Sequence, residues 1–108
     1  KNITLASNAG TGHATCGIIT CEAGSGPDAG GIAAGNDLVT QTVTNSHCKA
    51  NSVVLLHMVG QANVAHNIPV PIVYTVADGS FGFAIGNGGT ATISSANVGN
   101  LKVAYFII

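Results

Sequence analysis

Three short runs of β-forming residues, each closed by turn residues, constrain this chain more than any other feature: residues 52–59 (SVVLLHMV), 79–85 (GSFGFAI) and 101–108 (LKVAYFII). Runs of this length predict strands, and the spacing of seven or eight of them along 108 residues predicts an all-β protein. The expected fold is an antiparallel two-sheet β-sandwich, jelly-roll-like, formed by residues 1–108 as a single domain. No helix of ordinary length can be drawn.

Asn2 to Ala6 reads as a short edge strand and His13 to Cys21 as a second strand, interrupted by Gly17. Residues 22–36 (EAGSGPDAGGIAAGN) follow neither helical nor strand periodicity and read as a long surface loop. Their glycines lack the Lys-Ser/Thr partner of a phosphate-binding loop. From Asp37 to Thr44, Val39, Gln41 and Val43 alternate with Leu38, Thr40, Thr42 and Thr44, a strand periodicity with one hydroxyl-rich face. Residues 69–76 form the next strand, with Val70, Ile72, Tyr74 and Val76 on one face and Pro69 and Pro71 placing it at a sheet edge or a strand start. Ala77-Asp78-Gly79 joins it as a hairpin to 80–85, in which Phe81, Phe83 and Ile85 point one way. After Asn87-Gly88-Gly89, residues 90–96 read as a further strand before the last one. Residues 60–68, His66 among them, form a connection.

Charge is scarce. The three lysines and four carboxylates make 7 charged residues of 108, against an average near 25%. With no cluster of Lys or Arg, phosphate neutralisation has no basis, which excludes a nucleic-acid surface. No apolar run reaches the 18 residues of a membrane helix, so membrane insertion is not expected. A weakly charged surface rich in Gly, Ala, Ser, Thr and Asn suits extracellular or shell-forming proteins covered by copies of themselves.

The run 49–56 (KANSVVLL), then 77–85 (ADGSFGFAI), then 102–108 (KVAYFII) resembles the C-terminal β-domains of phage and large-virus structural or fibre-like proteins. Those carry an A-N-S strand opener, a G-T-S-F hairpin and a V-A-W-L-I ending in that order. In this chain Gly79-Ser80-Phe81 lacks the Thr and Tyr105 stands for the Trp. The resemblance spans about residues 37–108 and implies a jelly-roll-like sandwich, often trimeric, at an exposed position on a virion. It implies no catalytic residue and no cofactor.

The reactive side chains have plainer readings. His13, Cys16 and Cys21, with His47 and Cys48, match no standard zinc spacing. On one strand Cys16 and Cys21 lie on opposite faces about 17 Å apart, beyond the roughly 7 Å that a disulfide spans; only a bulge or turn at Gly17 brings them together. Inert buried thiols are expected. Asp37 and Asp78 are the nearest approach to a glycosidase carboxylate pair, but Asp78 belongs to a turn where Asp is favoured for backbone reasons. No serine has a nucleophile context, and the threonine rows are too short to argue for an ice lattice. His57 lies between Leu55 and Val59 on an apolar face, as a packed or subunit-contacting neutral imidazole.

The expected function is a non-enzymatic viral structural protein, a fibre-head or capsid-associated domain of the virion that self-assembles as a homotrimer, with a host-surface receptor or glycan as its outside partner. The alternative is a carbohydrate-binding or adhesive sandwich module of a cell-surface protein. Segment 52–59 is apolar on both faces, so one face needs a cover beyond the opposing sheet. Val54, Leu56 and Met58, together with Phe106 and Ile108 of the last strand, are the expected oligomer contacts.

Overall fold

A computed structural model describes residues 2–24, 29–60 and 68–108. Residues 25–28 of the long loop, and His66 with most of its connection, lie outside the described residues. Eight strands and one short helix follow in the order β1 (Asn2–Thr4), β2 (Ala9–Thr11), β3 (Cys16–Thr20), β4 (Gln41–Thr44), β5 (Val54–Gly60), β6 (Pro69–Ala77), β7 (Ser80–Asn87), α1 (Ser95–Val98) and β8 (Lys102–Ile107).

They form two four-stranded sheets, β1-β3-β8-β5 and β2-β4-β7-β6. The pairs β3/β8 and β4/β7 are nested, first with last and second with next to last, and all of β3 to β8 pair antiparallel, the wrap of a jelly roll. The first two strands break the expected antiparallel rule: β1 runs parallel to β3 and β2 parallel to β4. A two-residue turn carries the chain from one sheet to the other between them. Ser7 (φ 51°) and Asn8 (φ 64°) both adopt the left-handed conformation, and Ala6 and Ala9 exchange backbone hydrogen bonds across it.

The core lies between the sheets and follows strand parity. Val103, Tyr105 and Ile107 of β8 point inward while Lys102 and Phe106 point out. From β7 come Phe81, Phe83 and Ile85, and the Phe81 ring meets Tyr105 of the opposite sheet at 6.0 Å between centroids, in the tilted geometry that aromatic pairs favour.

Departures from the expected elements have local causes. Residues 37–40 do not belong to the β4 ladder; Asp37 makes a single bridge to Gly86, and regular pairing starts at Gln41. β6 is an edge strand, as its prolines require, but its register shifts between Val73 and Thr75. The shift sends Val76 to the core side with Val73 and leaves Tyr74 outside, so the expected single face of Val70, Ile72, Tyr74 and Val76 does not form. Residues 90–96 are not a strand: Ile93 bridges Ile32, and Ser94 caps α1 by accepting a hydrogen bond from the Asn97 amide. Through that bridge the long loop is anchored, with Ile32 fully buried.

Candidate self-assembly surface

The outer face of the β1-β3-β8-β5 sheet is the candidate site. Val53 and Ile108 exchange backbone hydrogen bonds at 3.1 and 2.9 Å, extending the β5/β8 ladder by one residue pair. Beyond them Leu55 lies opposite Phe106 and Phe106 opposite Cys16; one row further, His57 faces Ala104 and Ala104 faces Ile18. Val53 (54% exposed), Leu55 (49%), Val59 (52%), Phe106 (52%) and Ile108 (74%) therefore form one apolar face that none of the described residues covers. Among the strand residues pointing this way Lys102 is the one with a fixed charge, at the end where it pairs with Thr20. The imidazole of His57 is exposed in the middle of the apolar rows.

This arrangement corrects the expected contact set. Phe106 and Ile108 do point out, but Val54, Leu56 and Met58 point in: Val54 is buried, and Leu56 and Met58 pack against the core. β5 is also an edge strand and not a central one. The outward residues of β5 are instead Val53, Leu55, His57 and Val59. Parity with His57, the one polar side chain within β5, is the signal in the sequence that separates the two faces.

The remaining reactive residues are dispersed. Cys16 is exposed on the outer face, while Cys21 and Cys48 are buried, and all three are free thiols. Burial, reinforced by the neighbouring Glu22 carboxylate, pushes the Cys21 thiol up to about 12. The Cys48 thiol donates to the Ser80 carbonyl at 3.2 Å. His13 Nδ1 accepts from the Ser46 amide at 3.2 Å. Among the described residues no three His, Cys, Asp or Glu side chains come together as a metal site, and no helix is long and apolar enough to cross a membrane.

Asp78 accepts from the Ala50 amide at 2.8 Å and so ties two turns together. Asp37 bridges Gly86 at the other end of β7. From Ser80, just after the Asp78 turn, to Gly86, beside Asp37, the strand advances six residues, about 20 Å, which places the two aspartates at opposite ends of β7 and not as a facing pair of the kind glycoside hydrolysis uses. In comparisons with known proteins, no family model, no curated protein and no solved structure matches this chain.

Proposed function

We propose that this chain is a non-enzymatic structural domain, a fibre-head or capsid-associated part of a virion, that assembles with itself through the outer face of the β1-β3-β8-β5 sheet. The observation that carries the reading is the continuous outward row of Val53, Leu55, Phe106 and Ile108, each about half exposed or more and free of charge. Apolar patches beyond a few hundred Å² mark contact surfaces. A closed symmetric assembly that covers this one would let a chain with so few charges remain in solution. The trimeric state and the virion setting follow from the resemblance of residues 37–108 to viral β-domains.

Light scattering coupled to size exclusion tests it. The wild-type chain is expected as a closed oligomer at micromolar concentration, with the mass of three chains. Leu55→Asp or Phe106→Asp is expected to give a folded monomer with an unchanged β-type circular dichroism spectrum. A wild-type monomer would overturn the reading.

A further inference from the structure

The outer face of the second sheet carries a different kind of surface. On that side β7 carries Gly82, Ala84 and Gly86, a lane of small residues that is itself buried, with Thr40 and Thr75 lying over Gly82 and Asp37 and Ile72 over Gly86. Tyr74, displaced outward by the register shift in β6, donates its hydroxyl to Asp37 Oδ2 at 2.8 Å, tying β6 across the lane to the segment that leads into β4. The hydrogen bond to Asp37 is the main reason the Tyr74 hydroxyl holds its proton above the usual phenol range, ahead of desolvation and the carboxylate's charge.

Beside this bridge lies an open depression of about 290 Å³ between Asp37, Val70, Ile72 and the glycines 35, 86 and 88. That is near the lower end of ligand-site volumes. Gly86 lies buried beneath it: a Cβ there would stand 2.9 Å from Asp37 Oδ1 and 3.3 Å from Ile72 Cδ1, so the missing side chain is what lets Asp37 and Ile72 close over the strand and wall the depression. Its rim is fixed by Asn87, whose side-chain amide donates to the Ile32 and Ala91 carbonyls and accepts from the Gly89 amide. The Asn87 backbone pairs with Gly35 and Asn36 at 2.9 Å each.

The chemistry of the walls selects the occupant. The charged group at the depression is a carboxylate, which repels anions and asks for hydroxyl or N–H donors. One of its oxygens is already engaged by Tyr74, so the ligand meets the other along one edge. Val70 and Ile72 offer an aliphatic side against which the C–H groups of a ring can lie. We propose that this depression is a binding site for one neutral sugar ring, with Asp37 accepting its hydroxyls and Val70 and Ile72 covering its apolar face. It lies on the sheet opposite the assembly surface and does not depend on it.

The test is titration of the wild-type chain with methyl glycosides of glucose, galactose and N-acetylglucosamine at millimolar concentration, followed by amide chemical shifts. One of them is expected to move the Gly35, Gly86 and Gly88 signals. Asp37→Asn should weaken that binding at least about tenfold, as the loss of hydrogen bonds to a charged acceptor implies, and Gly86→Val should abolish it while the remaining amide spectrum stays native. Three outcomes overturn the proposal: no shifts with any glycoside, shifts centred away from these glycines, or a stronger response to methylammonium than to any sugar, which would make Asp37 a simple cation contact.

Discussion

Tyr105 and Asn45, one from each sheet, donate to the same oxygen. The Tyr105 hydroxyl reaches the Ala14 carbonyl at 3.1 Å and the Asn45 amide reaches it at 2.7 Å. Both side chains are fully buried, so this carbonyl, in the link between β2 and β3, ties the two layers together at one end of the sandwich.

Either donor alone satisfies this half-buried carbonyl, and the two should therefore be coupled. Tyr105→Phe is expected to cost about 1 kcal/mol. Asn45→Ala, which also removes the acceptor for the His47 amide, should cost about 2 kcal/mol. The double variant should exceed the sum by up to about 1 kcal/mol, because only then does the half-buried carbonyl lose both donors. Urea unfolding of the four chains measures the difference; strict additivity would show that the two bonds act independently.

Neighbouring residues of β8 should respond oppositely to truncation. Tyr105→Ala removes a core ring in contact with Phe81 and is expected to cost about 4 kcal/mol. Phe106→Ala, on the outer face, should change monomer stability by less than about 1 kcal/mol while weakening self-association. Denaturant melts at several protein concentrations separate the two effects.

The thiols give a footprint of both burial and assembly. In the Phe106→Asp monomer Cys16 should react with iodoacetamide at pH 8, whereas Cys21 and Cys48 should not. In the wild-type oligomer Cys16, opposite Phe106, should be slowed. Peptide mass spectrometry reads each site.

Cys21 also sets an alkaline limit. Its thiol is pushed up to about 12 from an ordinary 9.0, so between those values the folded chain holds a proton that the unfolded chain has released. Stability then falls as pH rises, starting near 9.0, and the loss approaches about 4 kcal/mol at its upper bound. Cys21→Ala should flatten this slope in urea melts between pH 8 and pH 11; an unchanged slope would show that the thiol ionises freely in the folded state.

Two glycines with nearly the same φ should differ sharply on substitution. Gly79 (φ 85°) turns the β6–β7 hairpin with open space around it, so Gly79→Ala should cost only the conformational strain, about 1 kcal/mol. Gly31 (φ 83°) lies against the Ile93 carbonyl, where a Cβ would come within 2.0 Å of the oxygen. Gly31→Ala should cost several times more and release the Ile32–Ile93 bridge, visible as faster exchange of those two amides.

What the residue order makes legible is what strand parity and turn chemistry encode locally. The alternation in β8 and β7 predicts which side chains enter the core, and Asp78-Gly79 predicts the hairpin. β2 is missed because three residues centred on Gly10 carry no periodicity. The parallel pairing of β1 with β3 is a relationship between distant segments that neither segment states. The shift at Tyr74 leaves the composition of β6 unchanged, yet it moves one aromatic out of line and creates its contact with Asp37. In β5 both faces are apolar, so the hydrophobic pattern could not say which of them the opposing sheet covers; only the lone imidazole distinguishes them. Residues 90–96 read as a strand because Thr and Ile favour strands, while the Ser94 cap that opens α1 depends on a single side-chain bond.

The place of β8 in its sheet bears on how the molecule comes into being. It is last of the eight strands in order of synthesis yet lies between β3 and β5, which otherwise have no common neighbour. Until β8 has left the ribosome, the inner side chains of β3 and β5 have only half a sheet to hold them in register. The strands before β8 cannot complete this layer on their own, so its closure must wait for β8. A nascent chain halted before Lys102 should therefore remain protease-sensitive, and one extended past Ile107 should become resistant in a single step.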